Sequence, residues 1–147
     1  MFRDLKVLRA EYKDADRISQ LILPLAMVHF KPIVSSFSAS SIAEYIQNPA
    51  FNYYIAEISN SLCGVISLRD TKHVYHLFVA EKYQGQGIAR ALWQYAKFDA
   101  EQNGYDGIFT VNSSINAVQT YEHLGFNKVN NQQEKNGINY VPMQYRD

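Results

Sequence analysis

The stretch His76-Leu-Phe-Val-Ala-Glu-Lys-Tyr-Gln-Gly-Gln-Gly-Ile-Ala-Arg-Ala-Leu92 reads as a buried strand, a glycine-bearing loop and the opening turns of a helix. Gly85 and Gly87 lack a β-carbon, so the backbone can turn sharply there and bring its N–H groups close to a bulky anion. A helix that starts near Gly87 leaves its first N–H groups unbonded and partly positive, which suits a pyrophosphate and requires no lysine. Two other phosphate loops fit poorly. A P-loop ends in Gly-Lys-Ser/Thr where this chain has Gly87-Ile-Ala89, and a dinucleotide fingerprint wants a small residue three places after its second glycine, where Arg90 stands. An ordinary strand-to-helix turn is the plainer alternative.

Working outward, the preceding segments predict strands. Phe51 to Ile58 and Leu62 to Leu68 are rich in aromatic and β-branched residues around a turn at Asn60-Ser61, and Asp70-Thr-Lys72 turns into His73 to Val79. Three consecutive antiparallel strands thus lead into the loop. Upstream, Leu5, Val7 and Leu8 suggest an opening strand, and Ile18, Leu21, Ile22 and Leu25 recur at helical spacing after Asp14-Ala-Asp16. Pro24 should limit or kink that helix. Met27 to Phe37 is apolar but aperiodic and reads as a loop. Ser40 or Ser41 can cap a second helix that stops at Asn48-Pro49.

Downstream, Ile88, Ala91, Leu92, Tyr95 and Ala96 form one stripe of a helix ending at Asn103-Gly104. The buried strand Ile108 to Val111 follows, so strand, helix and strand make a right-handed parallel crossover. Ser113 or Ser114 should start a short helix to Leu124-Gly125, and Phe126 to Val129 with Asn139 to Tyr145 should close as a hairpin around Asn136-Gly137.

The chain has 147 residues, 47% of them hydrophobic, and a formal net charge of zero, which fits one domain over residues 1–147. Balanced charge argues against a broad nucleic-acid or acidic-membrane footprint. Cys63 is the sole cysteine, so no internal disulfide forms and no cysteine metal cluster is expected. Met1 to Lys6 lacks a signal-peptide core, and the apolar run Leu21 to Phe30 is too short to span a bilayer. The expectation is a soluble cytoplasmic protein with no metal, no nucleic-acid partner and no membrane association, and with homodimer formation left open.

The loop Gln84-Gly-Gln-Gly-Ile-Ala89 resembles the acyl-coenzyme A loop of the GNAT superfamily of N-acyltransferases, Gln/Arg-x-x-Gly-x-Gly/Ala. A second segment, Asn116-Ala-Val-Gln-Thr-Tyr-Glu-His-Leu-Gly-Phe126, is similar to the other signature of that family, with Tyr121, Gly125 and Phe126 where expected. The resemblance covers roughly residues 50 to 145. It implies an α/β fold of three layers, a central mixed, mostly antiparallel sheet flanked by helices, and acetyl-coenzyme A as cofactor. It further implies that Phe78 and Val79 offer backbone groups to the pantetheine arm, that Gln84, Gly85, Gln86, Gly87, Ile88 and Ala89 form the pyrophosphate cradle, and that Asn116 touches the cofactor. Helix capping is the plainer role for Asn116. Ala80-Glu81 stand where many members have proline.

The implied reaction moves an acetyl group directly to a primary amine of a small molecule or peptide. It needs a neutral nucleophile, donors for an oxyanion and a proton for the departing thiolate. Tyr121, protonated at neutral pH, is the candidate acid, although an aromatic there is normally core. His73 and His76 are the candidate bases, and alternation along one strand should place them on opposite faces. Glu57 and a water chain are further options. Acyl transfer through Cys63 is disfavoured because a lone strand cysteine is usually an inert buried thiol. The competing class is a coenzyme A-binding sensor without turnover. The amine should meet a cleft built by Met27 to Phe37, the first hairpin and the closing hairpin.

Overall fold

Alternating aromatic and β-branched residues from Phe51 onward form a meander, in a computed structural model that describes residues 4–146. Met1 to Arg3, where the stretch read for a signal segment begins, and Asp147 lie outside the described residues. Strands β1 (Leu5–Arg9), β2 (Phe51–Ile58), β3 (Ser61–Arg69) and β4 (His73–Val79) pair antiparallel in succession. Helix α3 (Ile88–Gln102) carries the chain to β5 (Phe109–Ser114), which lies parallel to β4. β6 (Asn127–Lys128), β7 (Gln133–Lys135) and β8 (Ile138–Tyr145) complete an eight-stranded mixed sheet of order β1-β2-β3-β4-β5-β8-β6, with β7 also on β8.

The sheet separates two apolar layers. On one face α1 (Ala15–His29) and α2 (Ala39–Gln47) bury Ile18, Ile22 and Ile42 against Tyr53, Ile55 and Val65. On the other, α3 and α4 (Val118–Leu124) cover Tyr54, Ile66, Val74 and Phe109. Gly64 lets α3 sit close on the sheet, because a β-carbon there would stand 2.9 Å from Leu92 Cδ1. These three layers are the α/β architecture expected.

Several local expectations are corrected. Helix α1 runs through Pro24 to His29, so Pro24 does not end it; Pro24 and Gln20, whose carbonyl loses its helical partner, are both exposed to water. Met27 to Phe37 is therefore no loop. Its start is helical, and Lys31–Phe37 forms short 3-10 turns kinked at Ile33. Ser38 rather than Ser40 or Ser41 caps α2, its Oγ accepting from Ser41 N at 3.2 Å. The buried stripe of α3 contains Trp93, while Tyr95 is exposed. Trp93 packs within 5.3 Å of the rings of Phe109, Phe126 and Tyr145. The first hairpin turns at Ser59 and Asn60, both with positive φ. Ser113 and Ser114 remain in β5 because β8 pairs with them, so α4 starts only at Val118. Asn136-Gly137 closes β7 onto β8, and β6 pairs farther along the same strand.

Candidate active site

β4 and β5 pair only at His73–Thr110 and Val74–Val111 and then part. β4 stays with β3 as far as Val79, and β5 stays with β8 as far as Ser114. The inner edges of 75–79 and 112–114 therefore face a cleft of about 670 Å³ instead of each other. Peptide groups on such an edge have no ladder partner and can take an extended chain as a further strand.

The glycine loop closes one end of this cleft. Gly85 and Gly87 have φ of 75° and 87°, and nothing lies within 4 Å of where a β-carbon would stand at either. The first backbone bond of α3 runs from Ala91 N to Gly87 O at 3.1 Å, so the N–H groups of residues 88–90 precede it and are open to an anion. Phe78, Val79, Gln84, Gly85, Gly87, Ile88, Ala89 and Asn116 all line the cleft. Gln84 Nε2 donates to Val79 O at 2.9 Å, so the Val79 carbonyl is already engaged. Gln86 is not part of the lining: its Nε2 donates back to Lys82 O at 3.2 Å. Asn116 caps no helix. It sits in a 3-10 turn before α4, with Nδ2 3.5 Å from His29 Nε2 across the cleft. An unpaired strand edge, open amides at a helix start and free space at two glycines fit an extended ligand that ends in a pyrophosphate.

Tyr121 reaches the same cleft from α4. It is buried, its ring edge-on to Phe126 at 5.4 Å, so the packing role anticipated for it is real. Its hydroxyl makes no hydrogen bond to a described residue. Since no enclosed side-chain nitrogen or oxygen among the described residues lacks a partner, that hydroxyl opens on the cleft. Burial raises its pKa above the ordinary tyrosine value, so it is protonated at neutral pH.

The histidines lie differently from expectation. A bulge in β4, where Ser67 pairs with His76 but Leu68 with Val74, inserts one residue and reverses the alternation. His76 packs against Phe37 on the α1/α2 face. His73 Nδ1 is 2.8 Å from Thr110 Oγ1, and Thr110 lies between Phe109 and Val111, which point to the α3 side. His73 therefore shares the face of His76, yet only His76 lines the cleft. Tyr53, Ser67 and His76 stand side by side across three strands. The Tyr53 hydroxyl lies 2.9 Å from His76 Nδ1, and Ser67 Oγ accepts from His76 N at 3.1 Å. His76 Nε2 has no partner among the described residues and opens on the cleft.

Burial lowers the pKa of His76 to about 3, and burial with nearby Arg69 and Lys72 lowers that of His73 to about 4. Both are neutral at pH 7. A histidine whose folded pKa lies below its unfolded value gives stability that is complete above about 6.5 and is lost as pH falls toward the folded pKa. At pH 5 the His76 contribution should be smaller by about 2 kcal/mol. The difference in unfolding free energy between pH 7.5 and pH 5 should accordingly shrink in His76→Gln, and an unchanged difference would count against the burial of this ring.

Of the segment Met27 to Phe37, His29, Phe30, Ile33, Ser36 and Phe37 line the cleft, joined from α1 by Leu25. Neither hairpin contributes to the lining, because β2 and the β7–β8 pair lie away from the gap between β4 and β5. Tyr53 and His29 were missed. The signal for Tyr53 was the register of two hairpins, which aligns it with His76 through Ser67. Cys63 is buried away from the cleft, Sγ donating to Ala56 O at 3.2 Å, and burial pushes its pKa up to about 11. Among the described residues no cluster of three or more His, Cys, Asp or Glu side chains could hold a metal, and no helix is long and apolar enough to cross a membrane.

The family model described as Acetyltransferase (GNAT) domain matches residues 18–146. A curated acetyltransferase of Agrobacterium fabrum is 35% identical over 81 residues, which cover 53% of this chain and 59% of that protein. The match thus spans little more than half the length of that relative. Among solved structures, a GCN5-related N-acetyltransferase from Rhodopseudomonas palustris superposes with a TM-score of 0.83 at 18% identity, covering 99% of this chain and 98% of the other. The PaiA N-acetyltransferase of Thermoplasma acidophilum, solved with coenzyme A, gives a TM-score of 0.78 at 13% identity, covering 97% and 99%. At these identities the structural likeness speaks for the fold.

Proposed function

Because the chain belongs to the GNAT acetyltransferase family, we propose that it transfers an acetyl group from acetyl-coenzyme A directly to a primary amine of a small molecule or peptide, as one domain over residues 1–147. The observation that carries this reading is that the glycine loop, the open edge of β4 and the Tyr121 hydroxyl all line one cleft. When bound, acetyl-coenzyme A would supply an activated acetyl thioester. The amides of residues 88–90 and the Gly85–Gly87 turn would hold its pyrophosphate, and the edge at Phe78 and Val79 would hold its extended arm.

Tyr121 can give a proton to the departing sulfur from a hydroxyl that faces the cleft. The amine must arrive or become neutral, and apolar walls favour that form by penalising the ammonium. His76, with Nε2 on the cleft and Nδ1 beside Tyr53, would orient the amine. His73 does not line the cleft and is assigned a place in the sheet. Cys63, remote and protonated, leaves direct transfer as the simpler route. A cytoplasmic setting is consistent with this single reduced thiol.

The acidic limb of the kcat/KM profile should therefore follow the amine's own ionisation, rising up to about pH 9 or beyond for an ordinary alkylamine. An inflection between pH 6 and 7 that disappears in His76→Gln would instead assign the base to His76. The function itself is tested by release of free thiol from acetyl-coenzyme A in the presence of a panel of amines. A coenzyme-binding module without turnover is the second reading, favoured by the burial of Tyr121 against Phe126. It would be supported if coenzyme A stabilised the protein while no amine released thiol.

A further inference from the structure

We propose that the acceptor is a monoamine with an apolar or aromatic body, and that polycations are excluded. The inference rests on the acetyl-transfer reading and names the substrate class for that cleft. On the α1/α2 side the walls are Leu25, Phe30, Ile33, Phe37, Tyr75 and His76. Phe30, Phe37 and Phe78 form a triangle of rings with centroids 5.7 to 5.8 Å apart, and the His76 ring lies 5.0 Å from Phe37. Among the described residues the one carboxylate in the lining is Glu81, which belongs to the glycine loop at the other end. Asp14 and Glu57, low-exposure carboxylates beside α1, line no part of the cleft and are both held by Arg17, at 2.9 and 2.5 Å. Arg90, the one arginine in the lining among the described residues, donates to His123 O at 2.7 Å on the α3–α4 side, away from the aromatic walls.

A buried ammonium needs a carboxylate or several acceptors to offset the loss of water. The reacting amine avoids this by losing its proton, at a cost of roughly 300-fold in population at pH 7.5 for a pKa near 10. A second ammonium on the same molecule would meet rings, whose attraction for a cation is worth about 0.5 to 2 kcal/mol against a desolvation cost of several kcal/mol. An aromatic or aliphatic body instead finds apolar surface and ring edges suited to it. The neutral His76 imidazole leaves one polar contact for the single nitrogen.

The test is calorimetric titration of the protein, with and without coenzyme A, using 2-phenylethylamine and spermidine as probes. The expected result is a Kd for 2-phenylethylamine at least tenfold lower than for spermidine. Equal or tighter binding of spermidine would overturn the proposal, as would failure of both probes to bind. Ser36→Asp places a carboxylate on the aromatic side of the lining and should narrow or reverse the preference. An unchanged ranking in a folded Ser36→Asp variant would overturn the placement of the acceptor. Thiol release measured in parallel separates the two claims. If 2-phenylethylamine binds but releases no thiol, the cleft's preference for apolar monoamines stands as a ligand class and the transfer reading falls. If spermidine releases thiol faster, transfer stands and the class falls.

Discussion

Gly87→Glu should reduce coenzyme A affinity by at least a hundredfold while leaving the protein folded. Gly87 holds the left-handed conformation, φ 87°, at the start of α3 with open space where a side chain would grow. A glutamate there meets no steric obstacle within the fold, so the structural cost is that of a non-glycine residue in this region, about 1 to 2 kcal/mol. Its carboxylate, however, would stand where the pyrophosphate approaches the amides of residues 88–90. Two unit charges 4 Å apart at a protein surface repel by about 4 kcal/mol, which exceeds the roughly 2.8 kcal/mol needed for a hundredfold loss. Gly87→Ala separates the two terms, since it carries the strain without the charge and should lose far less affinity. A folded Gly87→Glu variant that bound coenzyme A normally would remove the pyrophosphate cradle from this loop.

Tyr121→Phe should lower turnover by roughly a hundredfold or more with little change in coenzyme A affinity. The substitution keeps the ring that packs on Phe126 and removes only the hydroxyl, which opens on the cleft and bonds to no described residue. For the same reason the melting temperature should hardly move, because a side chain that leaves no protein group unpaired costs little when trimmed. Wild-type turnover in this variant would reject Tyr121 as the acid and transfer the role to water.

The meander and the crossover were legible because strand and helix periods differ and because turn residues punctuate them. Phe51 to Val79 alternates and breaks at Ser59-Asn60 and Asp70-Thr71, where four residues with positive φ make the turns. The turn into α3 was legible because glycines just before a helical stripe mark where the backbone takes the left-handed conformation. The faces of the two histidines were not. Alternation assumes an unbroken strand, and nothing in His73-Val-Tyr-His76 announces the residue inserted opposite Ser67 and Leu68. That α1 continues past Pro24 was not legible for a related reason: the cost of a proline depends on whether the carbonyl it abandons faces water, which tertiary packing decides. The motif marks Gln86 for its backbone N–H, and its side chain bonds back to Lys82 O. The cleft itself depends on where β4 and β5 cease to pair, a property of the whole sheet.

The most direct test of acetyl transfer in the cleft is to measure, in one reaction, free coenzyme A thiol and N-acetylated amine. Acetyl-coenzyme A and 2-phenylethylamine would be supplied at pH 8 to wild type and to Tyr121→Phe. Thiol should appear only with amine, in equal amount to the acetylated product, and roughly a hundredfold more slowly in the variant. Coenzyme A binding with thiol release no faster in the presence of this or any other amine than in its absence would contradict this.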